Sequence, residues 1–376
     1  MKKTILTIML VISLFLISCG QETSEGTTTE TIEQTDEGAK SYKIGVLFAT
    51  TGDVAVYGLP MLEAVQLAAE QAKASDVNVE LVVEDSRCEP QTAATAMQKL
   101  ATVDKVDAVI GEICSSATLA AAPIAEENKI LMVSPSATSP DIATAGDYIF
   151  RVVTSDSFQG KVGAQLAIQK GYTTAAVLYI NNDYGAGLNK VFTSEYEASG
   201  GDVVYSDAFE QSSTDFRTLL TKVKEAAPDV IYFVGLPVEC GNAFKQKAEL
   251  GVQTEVIAAE GCKDDSVIEL AGSGAEGVVV TTPAPNTDAV NQAFSAAYKA
   301  RTGEDPKIYT AESYDAFNVV LWALQTSDGT KEAAKDTLYT LQNYAGAAGP
   351  ISFDSQGEVE KPYTSWTITD GVFVEN

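Results

Sequence analysis

The sequence predicts an α/β protein built as two doubly wound parallel-sheet lobes, and three observations predict it. Short continuous apolar runs recur along the chain, the form taken by strands buried on both faces of a parallel sheet. Segments of helical period separate them, so strand and helix alternate and the crossovers are expected to be right-handed. About 335 residues follow the first 41, more than one hydrophobic core usually spans, so the chain is expected to divide in two.

The amino-terminal residues MKKTILTIMLVISLFLISCG set Lys2 and Lys3 ahead of an apolar run from Ile5 to Ile17, the layout of a secretory signal. That run is shorter than the ~20 residues that span a bilayer. Leu16, Ile17, Ser18 and Cys19 resemble the lipobox of lipoprotein precursors, which makes 1–18 a signal peptide and Cys19 the lipidated first mature residue. Residues 19–41 hold six acids, one Lys and only Ile32 as a large apolar side chain, too little to build a core, and read as a disordered acidic tether. The whole chain carries a formal charge of −27; loss of Lys2 and Lys3 with the signal leaves 23 basic against 52 acidic residues, or −29. Such a charge disfavours nucleic acid and anionic membrane surfaces as partners.

In chain order the first strand is KIGVLFAT (43–50), followed by TTGDVAVYG, where Gly52 and Gly58 bracket Tyr57. Pro60 is placed to open the next helix, since proline suits the first helical turn. Leu62, Val65, Ala69 and Ala72 give that helix one apolar face. VELVVED (79–85) and DAVIGE (107–112) follow, the latter leading into EICSSAT. The fourth strand, ILMVSP (130–135), leads into SPSATSP, whose prolines hold Ser136 and Thr138 in an extended loop. AAVLYI (175–180) precedes NNDYGAG with Tyr184, and Phe216, Leu219, Leu220 and Val223 mark another one-sided helix. VIYFVGL (230–236) ends at Leu236, EVIAA (255–259) runs into Glu260, and GVVVTTP (277–283) is the last run.

In sheets of this kind ligands bind outside the carboxyl ends of the strands, so the residues after each run are the candidates. The loops with Ser115 and with Ser136 and Thr138 carry small hydroxyls at the mouths of helices, where free backbone N–H groups and the helix dipole favour an anion. Simple helix capping is the alternative, and two such loops after successive strands weigh against it. Neither loop has a basic residue, so hydroxyls and amides alone would hold a small carboxylate. Glu260 follows a buried-type strand, where an acid is costly unless partnered. A ligand ammonium would partner it; an exposed loop acid is the alternative. Tyr57 and Tyr184 are candidate aromatic covers for the apolar part of a ligand, or else lobe packing. Leu236, Ile113 and Tyr314 are candidate pocket walls.

With Cys19 lipidated, four cysteines remain, and an even number outside the cytoplasm suggests disulfides. Cys88 with Cys114 and Cys240 with Cys262 is the expected pairing, because each pair lies at or near the ends of neighbouring strands; each bridge would contribute ~3 kcal/mol. Metal ligation is the weaker alternative, since the chain has no histidine and no CxxC pair. No metal or cofactor is expected.

These residues resemble a family. The segments IGVLFATTGDVAVYG, VVEDSRCEPQTA, AVIGEICSSAT, ILMVSPSATSPDI, FRVVTSDSFQG, NNDYGAGL, TDFRTLL, IYFVGLPVE, AAEGC and AEGVVVTTP, in this order and spacing from Lys43 to about Trp366, are similar to the type I periplasmic binding proteins of the leucine/isoleucine/valine-binding branch. The resemblance implies two lobes joined by three crossovers with one ligand in the cleft: residues 42–157 with 284–345 in lobe 1, and 158–283 with 346–376 in lobe 2. It implies that Ser115, Thr138 and the Ser136 carbonyl take the carboxylate and amine ends of an amino acid, that Glu260 takes the ammonium, and that Tyr57 and Tyr184 form the lid. It also places a disulfide at Cys88 and Cys114. Leu236 stands where branched-chain binders carry an aromatic residue, so the side-chain pocket differs; Cys240 and Cys262 are an addition that would brace the loops at Leu236 and Glu260.

The function so implied is an extracytoplasmic, lipid-anchored receptor that delivers a free amino acid to ABC permease subunits, working as a monomer. An enzyme is the contrasting class. GSGAEG (272–277) matches a dinucleotide fingerprint but precedes a strand instead of following one. No GxSxG elbow or P-loop is present, and without histidine no Ser-His dyad can form; Asp264 and Asp265 sit among surface-like acids. Two further alternatives keep the fold: a sensor subunit that presents ligand to a membrane partner, and an importer receptor for an amide, urea or aromatic acid.

Overall fold

The computed structural model describes residues 41–376. The expected signal peptide, Cys19 and the tether up to residue 40 lie outside the described residues.

The chain begins with β1 (Ser41–Phe48), α1 (Ala55–Ala74), β2 (Asn78–Asp85), α2 (Pro90–Lys99), β3 (Ala108–Gly111), α3 (Ser115–Glu127), β4 (Leu131–Ser134) and β5 (Ile149–Arg151). These five strands form one parallel sheet in the order β2-β1-β3-β4-β5. β3 and β4 are buried at every residue, which is why they stand out in sequence as unbroken apolar runs. β2 lies at the sheet edge, partly exposed along its length, with Val83 39% exposed.

The pattern then repeats through α4 (Asp156–Gln169), β6 (Thr174–Ile180), α5 (Asp183–Ala198), β7 (Asp202–Phe209), α6 (Arg217–Ala226), β8 (Val230–Val234), α7 (Pro237–Glu249), β9 (Glu255–Ala258), α8 (Asp265–Ala271) and β10 (Val279–Pro283). Helices α9 (Ala289–Thr302), α10 (Thr310–Thr326) and α11 (Lys331–Tyr339) pack back on the first lobe, where Phe294 and Tyr298 meet Ala64 and Leu67 of α1. A short hairpin of β11 (Tyr344–Gly346) and β12 (Gly349–Ile351) leads to β13 (Tyr363–Thr369) and β14 (Val372–Glu375). These last two strands extend the second sheet, β13 antiparallel to β10 and β14 antiparallel to β13, giving the order β14-β13-β10-β9-β8-β6-β7. Among the described residues no helix is long and apolar enough to cross a membrane.

The five parallel strands of each sheet are wound in the same way, and in each the strand order reverses once: between β1 and β3, and between β6 and β8. Crevices form at these reversals, outside the carboxyl ends of the strands. The core of the second lobe is aromatic: Phe192 stacks on Tyr232 of β8 at 3.9 Å, and Phe209, Phe216 and Phe244 surround Phe233. Each such buried side chain contributes about 1.5–3 kcal/mol, so the ends of β8 are held rigidly.

The chain passes between the sheets three times, after β5, after β10 and before β13. The third passage comes later than expected. Ile351, Phe353 and Val359 are buried in the first lobe's core and Thr154 bridges Val359, so the crossing follows Val359 and not residue 345. Arg151, wholly buried, ties these passages together: it pairs with Glu358 and donates to the carbonyls of Ser139 (2.9 Å) and Ala137 (3.3 Å).

A second correction concerns Pro60, which lies inside α1 and not in its first turn. The helix starts at Ala55 because its first turn packs on the end of β1: a Cβ on Gly58 would stand 1.8 Å from the Ala49 carbonyl. Only glycine admits that approach.

Candidate ligand-binding cleft

The loops at both strand-order reversals face one cavity of about 450 Å³, within the ~300–1,000 Å³ of small-molecule sites. Tyr57, Ile113, Ser115, Ser136 and Thr138 line it from the first lobe, and Tyr184, Leu236 and Glu260 from the second. Eight of the nine sequence candidates therefore meet. Tyr314 does not: it sits one turn inside α10, packs at a tilt against Phe294 with ring centroids 5.0 Å apart, and donates to Gln71 at 2.5 Å. Tyr309, just before α10 and held at φ 66°, is the tyrosine that reaches the cavity.

On the first-lobe side, Ser115 is the first residue of α3, whose opening N–H groups have no intrahelical partner. The Ser115 hydroxyl accepts from the Ser139 N–H at 3.1 Å, which leaves its own proton free to donate. Ser136 donates to the Ile113 carbonyl at 2.9 Å, stitching the two loops together. Beneath them Glu112 is fully buried, accepting from the Ser86 hydroxyl at 2.5 Å and from the Cys114 N–H. Burial drives its carboxyl up to about 7. The Cys88–Cys114 disulfide, with Cα atoms 5.5 Å apart, clamps the β2 and β3 loops at the cavity wall.

On the second-lobe side, Glu260 begins a single 3₁₀ turn directly after β9 and is 3% exposed. Close packing forms this turn: a Cβ on Gly261 would come within 2.4 Å of the Gly235 carbonyl. The Cys240–Cys262 bridge fastens the same turn to α7, and Lys263 caps it outside, its Nζ 4.4 Å and 4.0 Å from the rings of Trp366 and Phe373. Glu260 accepts a hydrogen bond from the Tyr184 hydroxyl at 3.1 Å. Burial pushes its carboxyl above the usual range, and hydrogen bonding from Gln159 and Tyr184 offsets part of that rise. Tyr57 spans the cleft, donating to the Gly261 carbonyl at 3.0 Å, and the Asp183 N–H donates to the Ser116 hydroxyl at 3.0 Å.

Asp156, the first residue of α4, was not among the sequence candidates. It is wholly buried and neither of its oxygens has a hydrogen-bond partner. Burial and then the Glu260 charge push its carboxyl well up, while Thr138 and Arg151 act in the opposite sense. Glu260 thus has a second buried acid behind the cavity wall, and the guanidinium that acts on Asp156, Arg151, is already paired with Glu358. One positive charge is called for there. A second cavity, of about 370 Å³, opens on the far side of Tyr309, but no loop from the strand-order reversals reaches it.

The family described as periplasmic binding protein matches residues 41–371. The chain belongs to the type I periplasmic binding proteins, in their leucine/isoleucine/valine-binding branch. Members of this family are substrate-binding proteins of the periplasm and not enzymes. The leucine-, isoleucine-, valine-, threonine- and alanine-binding protein of Pseudomonas aeruginosa is 30% identical, covering 86% of this chain and 88% of its own. Among solved structures, the leucine binding protein LivK of Thermotoga maritima superposes with a TM-score of 0.85 at 31% identity, over 89% of this chain and 97% of its own. The LivJ protein of Streptococcus pneumoniae in complex with isoleucine gives 0.82 at 28% identity, over 90% and 100%.

Proposed function

We propose that this binding protein is the lipid-anchored, extracytoplasmic substrate-binding subunit of an ABC importer, and that it captures one free α-amino acid by hinge closure. The observation that carries the reading is Glu260: an almost wholly buried carboxylate beside a second buried acid, across a cleft from hydroxyls and helix N–H groups. In the pose we infer, the ligand carboxylate lies at Ser115 and Thr138, its ammonium at Glu260 and the Ser136 carbonyl, and its side chain against Ile113, Leu236 and the Cys88–Cys114 disulfide. Burying a zwitterion is costly, and only near-complete hydrogen bonding offsets it.

The anion-favouring groups belong to one lobe and the acid to the other, so a bound amino acid stabilises the closed arrangement over the open one. Tyr57 and Tyr184 close over it. A ligand with only a carboxylate, such as an aromatic acid, leaves Glu260 without a counter-charge, which favours amino acids over that alternative. The names of the relatives support branched-chain acids as the first candidates. Cys19 supplies the membrane anchor in this reading, and permease subunits receive the ligand.

A thermal-shift screen of the purified protein against the common amino acids tests the proposal. A binder present at about 100 times its Kd raises stability by about 2.7 kcal/mol. A screen in which no α-amino acid shifts the transition, while an aromatic acid or urea does, would reject it. Lipid anchoring is tested separately, by release of a Cys19→Ala variant from the membrane fraction.

A further inference from the structure

The cavity continues beyond the groups discussed so far. Beside Ser115 its walls are apolar, formed by the Cys88–Cys114 disulfide, Ile113 and Leu236; its outer end is polar, at Asn181, Glu210 and Gln211. These come from two adjacent strand ends: Asn181 follows β6 and Glu210 follows β7. The Asn181 amide donates to Oε1 of Glu210 at 2.9 Å, which holds the carboxylate at the mouth, and among the described residues Oε2 accepts no hydrogen bond.

Two further facts bear on what this end can take. The first is space. The nine heavy atoms of leucine, at no more than about 30 Å³ each, the share of a water in the liquid, fill at most ~270 Å³. The cavity of about 450 Å³ leaves the remainder toward the mouth. The second is charge. Glu260, Asp183 and Glu210 line the cavity and no Lys or Arg does, so an anionic side chain meets like charge there and no compensating cation.

We infer that the side-chain subsite extends from the disulfide to Glu210 and selects α-amino acids whose side chain is apolar beside the Cα and ends in a hydrogen-bond donor, an amide or an ammonium. This rests on the pose proposed above, with the backbone ends of the amino acid at Ser115 and Glu260. Glu210 is the specificity residue and Asn181 positions it.

Isothermal titration of the purified full-length protein in detergent with leucine, norleucine, glutamine, lysine and glutamate tests the inference. Glutamine or lysine is expected to bind about tenfold more tightly than norleucine, which has a similar chain and no terminal donor, and glutamate is expected not to bind. Glu210→Ala should cut the donor advantage about fivefold or more while norleucine stays within about twofold. Glu210→Gln separates the two donors: it retains affinity for the amide and loses it for the ammonium. Norleucine binding as tightly as both donors, or Glu210→Ala weakening every ligand alike, overturns the inference and leaves the amino-acid reading standing. Failure of all five ligands to bind overturns both. Glu210 is exposed, so an unchanged melting temperature in both variants checks that the fold is intact.

Discussion

Replacing Glu260 by Gln is the sharpest perturbation, because the side chain keeps its shape and its hydrogen bond from Tyr184 while losing its charge. A hydrogen bond to a charged group contributes about 1.5–3 kcal/mol and a neutral one about 0.5–1.5 kcal/mol, so the substitution should cost ~1–2 kcal/mol of binding, roughly five- to thirtyfold in Kd. The ligand-free protein should respond in the opposite sense. Glu260 and Asp156 are both buried and the Glu260 charge pushes the Asp156 carboxyl up, so removing that charge relieves a repulsion on Asp156 and the melting temperature rises. Calorimetry with the best amino acid from the screen gives the first quantity, and thermal denaturation of ligand-free protein at pH 7 gives the second. Affinity unchanged within about twofold would refute the pose. A lower melting temperature would show instead that Glu260 holds the fold together, and that any loss of binding is secondary.

Three other perturbations follow from the same geometry. Arg151→Met removes a buried guanidinium from Glu358 and from the carbonyls of Ala137 and Ser139; breaking a buried pair costs about 3–5 kcal/mol, readable as a lower urea midpoint, and an unchanged midpoint would show that the pair adds nothing. Glu112 keeps its proton up to about 7 in the folded state, whereas the unfolded chain releases it near 4.5. The native state therefore binds more protons between these values, and stability falls as pH rises through that window, by at most about 3 kcal/mol. Glu112→Gln should flatten that slope in urea titrations between pH 4.5 and 7.5, and a slope equal to the wild type's would contradict the assignment. Serine at both Cys240 and Cys262 frees the Glu260 turn from α7; a loss of about 3 kcal/mol and a weaker affinity are expected, and free thiols in the unreduced wild-type protein would remove the premise.

What could be read from the sequence depended on how far each element's environment differs from its neighbours'. VIYFVG and AVIG are buried on both faces and carry no polar interruption, so they announce themselves as central parallel strands. β7, DVVYSDAF, closes the same sheet at its edge, exposed on alternate residues, and does not announce itself because Asp202, Ser206 and Asp207 interrupt its apolar run. The site loops followed from the strands, since topology alone places strand ends together. Tyr314 and Tyr309 lie five residues apart, and only the left-handed backbone at Tyr309 turns it into the cleft, a feature that composition does not announce. Asp156 was hidden for a different reason. It follows Ser155, whose hydroxyl accepts from Ser157, so in sequence it reads as an ordinary first-turn acid favoured by the helix dipole. Its burial against Glu260 arises only from the passage of the chain between the lobes.

That passage is also what would fit the cleft to a zwitterion in the proposed reading. Each lobe is wound in the same order, yet the two crevices differ in sign. In the first, the reversal exposes the start of α3, with N–H groups and hydroxyls unopposed by any acid in the helix's first turn. In the second, the strand ends bring Glu260 near Asp156, and the neighbouring Arg151 is already paired with Glu358. A purely anionic ligand could satisfy the first lobe but would meet carboxylates as the second approached. A purely cationic one could satisfy the second and gain nothing from the helix start. In the proposed pose only a molecule that carries both charges a few bonds apart would gain from both lobes at once, so the free energy for drawing the lobes together would be available to α-amino acids and denied to either half of one.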